Sequence, residues 1–168
     1  MQKVSLQRIK TSIYPIQPED GEISHFSLEG LLPSEWTLAL NVSLGTLSLI
    51  ADEPGKAHPC MLAEQQFTTS ELGVLMPLLR SYPHYCPYEV MLASFNHGHV
   101  SDSTVERCRQ RLYEAQLAGV WDQEMRPVRN VLSRTRLKVR SFGIEISSIL
   151  ETGYVLMVLP ERKQKEAL

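Results

Sequence analysis

Three cysteines, Cys60, Cys86 and Cys108, are too few and too odd in number for a disulfide framework, so a reducing, cytoplasmic setting is expected. No apolar run reaches the ~18 residues that a bilayer-spanning helix needs. The first residues lack the continuous apolar stretch of a signal peptide, so neither a leader nor a membrane partner is expected. Charge of one sign is also missing. Seventeen Lys and Arg against nineteen Asp and Glu give a net charge of −2, so the whole chain does not advertise a polyanionic partner. The signatures of common catalysts are absent too. There is no phosphate-cradling P-loop, no Gly-x-Ser-x-Gly elbow and no His-Glu-x-x-His pair. Asp52, Glu53 and His58 lie close together, but around a turn where polar residues are expected anyway. The reading is a non-enzyme without a cofactor.

Three short pairs, His58-x-Cys60, His84-x-Cys86 and His97-x-His99, raise a metal site. Their one-residue spacing is tighter than the two to four residues of zinc knuckles. They read as ordinary core cysteines and surface histidines. Tyr82, Tyr85 and Tyr88 are flanked by Pro83 and Pro87, and packing between two helices suits them better than stacking on bases.

What is present is an ordered change of hydrophobic period. IYPIQ (13–17) and ISHFSLEG (23–30) are short strand candidates. From Trp36 the apolar residues alternate. Trp36, Leu38, Leu40 and Val42 can share one strand face, and Leu47, Leu49 and Ala51 another. Asp52-Glu53-Pro54-Gly55 is turn chemistry, and a further strand over 57–63 would complete an antiparallel sheet. Helical spacing then takes over. Thr68 or Thr69 caps a helix carrying Leu72, Leu75, Met76 and Leu79, with Pro77 expected to kink it. Pro87 opens a second helix with Val90, Met91 and Phe95 inward, and Ser101 or Ser103 opens a third with Val105, Cys108, Leu112 and Leu117 on one side. A fourth helix is expected from about Pro127 to Arg140. Two β-rich runs, IEISSIL and GYVLMVL, flank Glu151-Thr152-Gly153 and read as a hairpin. The fold class is α+β. Residues 1–66 form an extension with an antiparallel sheet, 67–159 a helical domain ending in a hairpin, and 160–168 a polar tail.

The charge is locally uneven. Residues 125–140 carry Arg126, Arg129, Arg134, Arg136, Lys138 and Arg140 and no acid. In this stretch Val128, Leu132, Thr135 and Val139 recur at helical spacing and should face the core, with Val131 and Leu137 flanking them. The other faces present Arg129, Asn130, Ser133, Arg134, Arg136 and Lys138. Such a helix fits a DNA major groove, where Arg bonds guanine and Asn bonds adenine, while Ser and Lys hold phosphates. Arg126 and Arg140, at the ends, suit backbone phosphates. The bland alternative is a solvated helix face.

These residues also carry a family resemblance. Residues 128–156 resemble the end of the OmpR/PhoB-type effector domain, a winged helix-turn-helix. Its third helix interleaves apolar residues with Arg and Lys, and its hairpin ends in a Gly-Tyr pair. Ile146, Ser148, Ile149, Gly153, Tyr154 and Leu156 match that hairpin, and Phe67, Thr68 and Glu71 match the start of the family's first helix. The resemblance implies a bacterial transcriptional regulator without a cofactor. It also implies duplex DNA as the partner, a homodimer on that DNA, and contact with RNA polymerase.

The chain departs from the family in three places. Leu150, Glu151 and Thr152 stand where the family's wing often has Arg and Gly, and a carboxylate there repels phosphate. The region between the second and recognition helices is longer and reads as an Arg-bearing helix. Only about 65 residues precede the first helix, too few for a receiver of about 120 residues plus a sheet. Phosphorylation by a sensor kinase is therefore not implied. The rival reading is an adaptor, a winged helix that binds protein and not DNA.

Overall fold

The computed structural model describes residues 23–81 and 83–160. The chain divides into two compact units, Met1–Phe67 and Thr68–Leu168. In the first unit four antiparallel strands lie in sequence order: β1 (Ile23–Phe26), β2 (Trp36–Asn41), β3 (Thr46–Ala51) and β4 (Cys60–Gln66). The alternation read from the sequence sets the faces. Leu38, Leu40, Leu47, Leu49 and Ala51 are buried. Val42 does not join them and is exposed, because Asn41 ends the strand: its Oδ1 accepts the Leu44 N–H at 3.1 Å and turns the chain. Gly45 follows at φ +70°, where a Cβ would lie 2.3 Å from the Phe67 carbonyl oxygen. The strand expected over 57–63 begins three residues later, at Cys60. Pro59 has no N–H to give a ladder, so pairing starts after it. The run 13–17 lies outside the described residues.

Among its described residues the second unit has four helices and a three-stranded sheet. Helix α1 (Thr69–Arg80) leads through β5 (Tyr85–Pro87) to α2 (Tyr88–His97), α3 (Asp102–Leu117) and α4 (Trp121–Val139). A 3-10 turn, Arg140–Phe142, then joins α4 to the hairpin β6 (Ile144–Ile149) and β7 (Gly153–Val158). The sheet order is β5-β7-β6, all antiparallel. Thr68 caps α1 in a reciprocal box with Glu71, and Ser101 caps α3 in the same way with Thr104.

Strand β5 is the element that periodicity does not reveal, since three residues are too short to carry a pattern. Its partner explains the Gly-Tyr pair of the hairpin. A Cβ on Gly153 would lie 2.2 Å from the Cys86 carbonyl oxygen and 2.8 Å from the Pro87 Cα, so only glycine lets β5 approach β7. Tyr154, opposite Cys86, is buried and meets Tyr88 edge-on at 5.4 Å between ring centroids.

Both helix prolines are accommodated, for different reasons. Pro77 lacks the N–H that would bond the Gly73 carbonyl. In its place the Ser94 hydroxyl, from α2, donates to Gly73 O at 2.6 Å. Helix α1 therefore continues past Pro77 to Arg80, and Ser81 Oγ donates back to Pro77 O at 2.5 Å. In α4, Pro127 frees the carbonyl of Gln123, an exposed residue that water can reach. The helix consequently begins at Trp121, six residues before the start read from the sequence.

The Ser94 bond gives a test. Ser94→Ala leaves a carbonyl inside the helix pair without a donor and should cost about 1–3 kcal/mol in urea unfolding. In a Pro77→Ala background, where an N–H at residue 77 can reach Gly73 O, the same change should cost much less. Equal losses in the two backgrounds would show that the hydroxyl does not replace the missing donor.

Candidate nucleic-acid interface

Among the described residues helix α4 is the longest element, and it is sharply divided into faces. Met125, Val128, Val131, Leu132, Thr135 and Val139 are buried. The Thr135 hydroxyl is satisfied within the helix, donating to Val131 O at 2.9 Å. Leu137, expected beside the core, is 67% exposed. It stands nine residues from Val128, two and a half turns at 3.6 residues per turn, and so points the opposite way. The opposite face carries Arg126, Arg129, Asn130, Ser133, Arg134 and Leu137, all exposed.

The eight polar residues expected at the groove fall into two groups. Arg126, Arg129, Asn130, Ser133 and Arg134 share the outer face. Among the described residues, Arg126 and Asn130 make no side-chain hydrogen bond or ion pair. Arg129 reaches back to Asp122, with Nη1 3.2 Å from the carboxylate and Nη2 3.1 Å from the backbone oxygen. Ser133 Oγ donates to Arg129 O at 3.0 Å. Arg134 Nε lies 3.7 Å from Glu71, with its side chain 56% exposed.

The other three are held by the protein itself. Arg136 bridges α4 to the hairpin: Nε donates to Ile146 O at 3.1 Å and Nη2 to Ser148 Oγ at 2.9 Å. Lys138 Nζ donates to Glu71 Oε1 at 2.7 Å, tying α4 to the first turn of α1. Arg140 Nη2 lies 3.5 Å from Glu145 Oε1 on β6, while its Nε is buried without a partner. Their partners lie up to 67 residues away in sequence, so helical spacing alone sorts none of them from the outer group.

Glu71 is the hinge of this arrangement. It is 1% exposed and accepts the Thr68 N–H at 2.8 Å as well as the Lys138 ammonium. Burial alone would raise its pKa. The hydrogen bonds from Lys138 and Thr68 and the Lys138 charge outweigh that, and the carboxyl is held below its ordinary value.

The hairpin tip is shaped by its backbone. Thr152 N–H donates to Ile149 O at 3.1 Å and Thr152 Oγ1 to Leu150 O at 2.8 Å. Glu151 sits between them at φ +56°, a left-handed conformation uncommon for a side chain of its size. Leu150 beside it is 86% exposed.

The His84-x-Cys86 pair is built into the fold. His84 is buried at φ +66°, and its Nδ1 donates to Leu78 O at 2.9 Å, closing the end of α1. The Cys86 thiol is buried, and burial, helped by the Glu89 charge, pushes it up to about 12. Among the described residues no three His, Cys, Asp or Glu side chains gather into a metal-holding group. Comparison of the chain with protein-family models, curated proteins and solved structures gave no match.

The Glu71 charge has a testable pH signature. Its folded pKa lies below the unfolded value of about 4.3, so its stabilisation is complete above that value and drains away as pH falls through the folded value. Glu71→Gln retains an oxygen for the Thr68 cap and removes the charge from Lys138. The variant should lose about 1.5–3 kcal/mol at pH 7 in urea unfolding. The gap to the parent should narrow at pH 3. A gap that is the same at both pH values would assign the loss to packing and not to the ion pair.

Proposed function

We propose that the second unit is a winged helix-turn-helix domain of a transcriptional regulator, and that α4 enters the major groove of duplex DNA. One observation carries this reading. The exposed face of α4 presents Arg126, Arg129, Asn130, Ser133 and Arg134 together, no acid lies between Met125 and Arg140, and the face behind them is fixed in the core. Guanidinium and amide groups in that row are the donors and acceptors that base edges recognise, and the outermost Arg side chains suit phosphates. Leu137, exposed on the same face, can meet a thymine methyl. The resemblance to OmpR/PhoB-type effector domains supports the same assignment.

In this reading Arg136 and Lys138 position the helix and do not read bases. Arg140 bears on a phosphate from the helix end. A single domain reads a short half-site, so two copies act together on DNA, with RNA polymerase as the downstream contact. The tip residue Glu151 favours the rival adaptor reading, because a carboxylate repels the backbone that a wing would approach.

Anisotropy titrations against a duplex selected from a random pool, and against its scrambled form, separate these roles. Arg129→Ala and Asn130→Ala should each weaken the selected duplex by about 1–3 kcal/mol and relax preference at one base pair. Arg126→Ala should weaken both duplexes alike and reduce the salt slope by about one unit. If all three variants bind as the parent does, or the parent binds no duplex at low salt, the adaptor reading replaces this one.

A further inference from the structure

A cavity of about 680 Å³ opens in the second unit between α2, α3, the first residue of α4 and the hairpin tip. Its volume lies within the range of small-molecule sites. Three aromatic side chains line it, one from each helix: Tyr88, Tyr113 and Trp121. Tyr88 and Trp121 are fixed against each other, edge to face with centroids 4.9 Å apart, and Tyr88 Oη donates to Ile149 O at 3.4 Å. Tyr113, on α3, is 58% exposed at the rim.

The charges around this aromatic set are unbalanced. Glu89 from α2 and Glu151 from the hairpin tip both line the cavity, and neither makes a hydrogen bond or ion pair among the described residues. The one cation in the lining, Arg109, is already engaged by Glu106 one turn earlier on α3. Glu151 is also the residue at φ +56°. A bulky side chain in a left-handed conformation, at a turn where glycine or asparagine is easier, is backbone strain of the kind that gathers at binding sites.

We propose that this cavity binds a small organic cation, a methylated ammonium, held against the rings of Tyr88, Tyr113 and Trp121 and balanced by Glu89 and Glu151. Aromatic faces attract such cations through their quadrupole, and methyl groups spare the ligand the desolvation of N–H donors. Anions are disfavoured by the two carboxylates. Neutral apolar molecules gain nothing from them. An occupant would link the hairpin tip to the start of α4, yet the inference rests on the cavity alone and stands whether or not α4 reads DNA.

The probe is choline, compared by calorimetry of the full chain with dimethylbutanol, the neutral isostere in which carbon replaces nitrogen. Choline should bind roughly tenfold more tightly than the isostere. Glu151→Gln, at an exposed position and with an unfolding midpoint matching the parent, should weaken choline several-fold and leave the isostere unchanged, whereas Tyr113→Ser should weaken both ligands, choline the more. Glu89→Gln should act in the same direction. Three results would overturn the proposal: no heat from choline at millimolar concentration, equal binding of choline and its isostere, or inorganic phosphate binding in place of choline through Arg109.

Discussion

A buried carboxylate organises the second unit. Glu71 caps its own helix through Thr68, accepts Lys138 from the far end of α4, and faces Arg134 one turn earlier. A charge in so dry a place is costly unless its partners are fixed, and fixing them orients α4 about its own axis. The apolar stripe from Met125 to Val139 enforces the same rotation from the other side, and Arg136 adds a third tie to β6. With three directions set, the remaining face has to look outward. Arg126, Arg129, Asn130, Ser133 and Arg134 stand in a row because Glu71, Arg136 and the core have claimed every other side of the helix.

Two local conflicts elsewhere in the unit are resolved by a partner distant in sequence. Pro77 would break α1, but the Ser94 hydroxyl supplies the donor that the proline lacks. Gly153 would weaken a strand, but the missing side chain is what admits β5. The same close approach brings Tyr154 against Tyr88, and Tyr88 against Trp121 at the start of α4. The aromatic wall of the cavity is thus a consequence of how the hairpin pairs.

Much of this fold is legible in the sequence where the signal is local. The alternation of Leu38, Leu40, Leu47 and Leu49, the Thr68–Glu71 box, the i, i+4 spacing in α4 and the hairpin around Glu151 each depend on residues a few positions apart. What escapes such reading depends on distant partners. Strand β5 exists only through β7. The start of α4 lies upstream of Pro127 because Gln123 is exposed. Leu137 belongs outside because the core stripe is narrower than the apolar residues suggest. The roles of Arg136, Lys138 and Arg140 are decided by Ser148, Glu71 and Glu145, which no helical period connects to them. The aromatic cavity needs four elements at once and leaves no motif in the chain.

The central claim is that the outer face of α4 meets duplex DNA. Backbone amide chemical shifts, recorded as a short duplex is added at low salt, address it directly. The account predicts shifts concentrated on residues 126–137 of α4, fading as salt is raised. Shifts confined to α3 or to the first unit, or a spectrum that the duplex leaves unchanged, would contradict it.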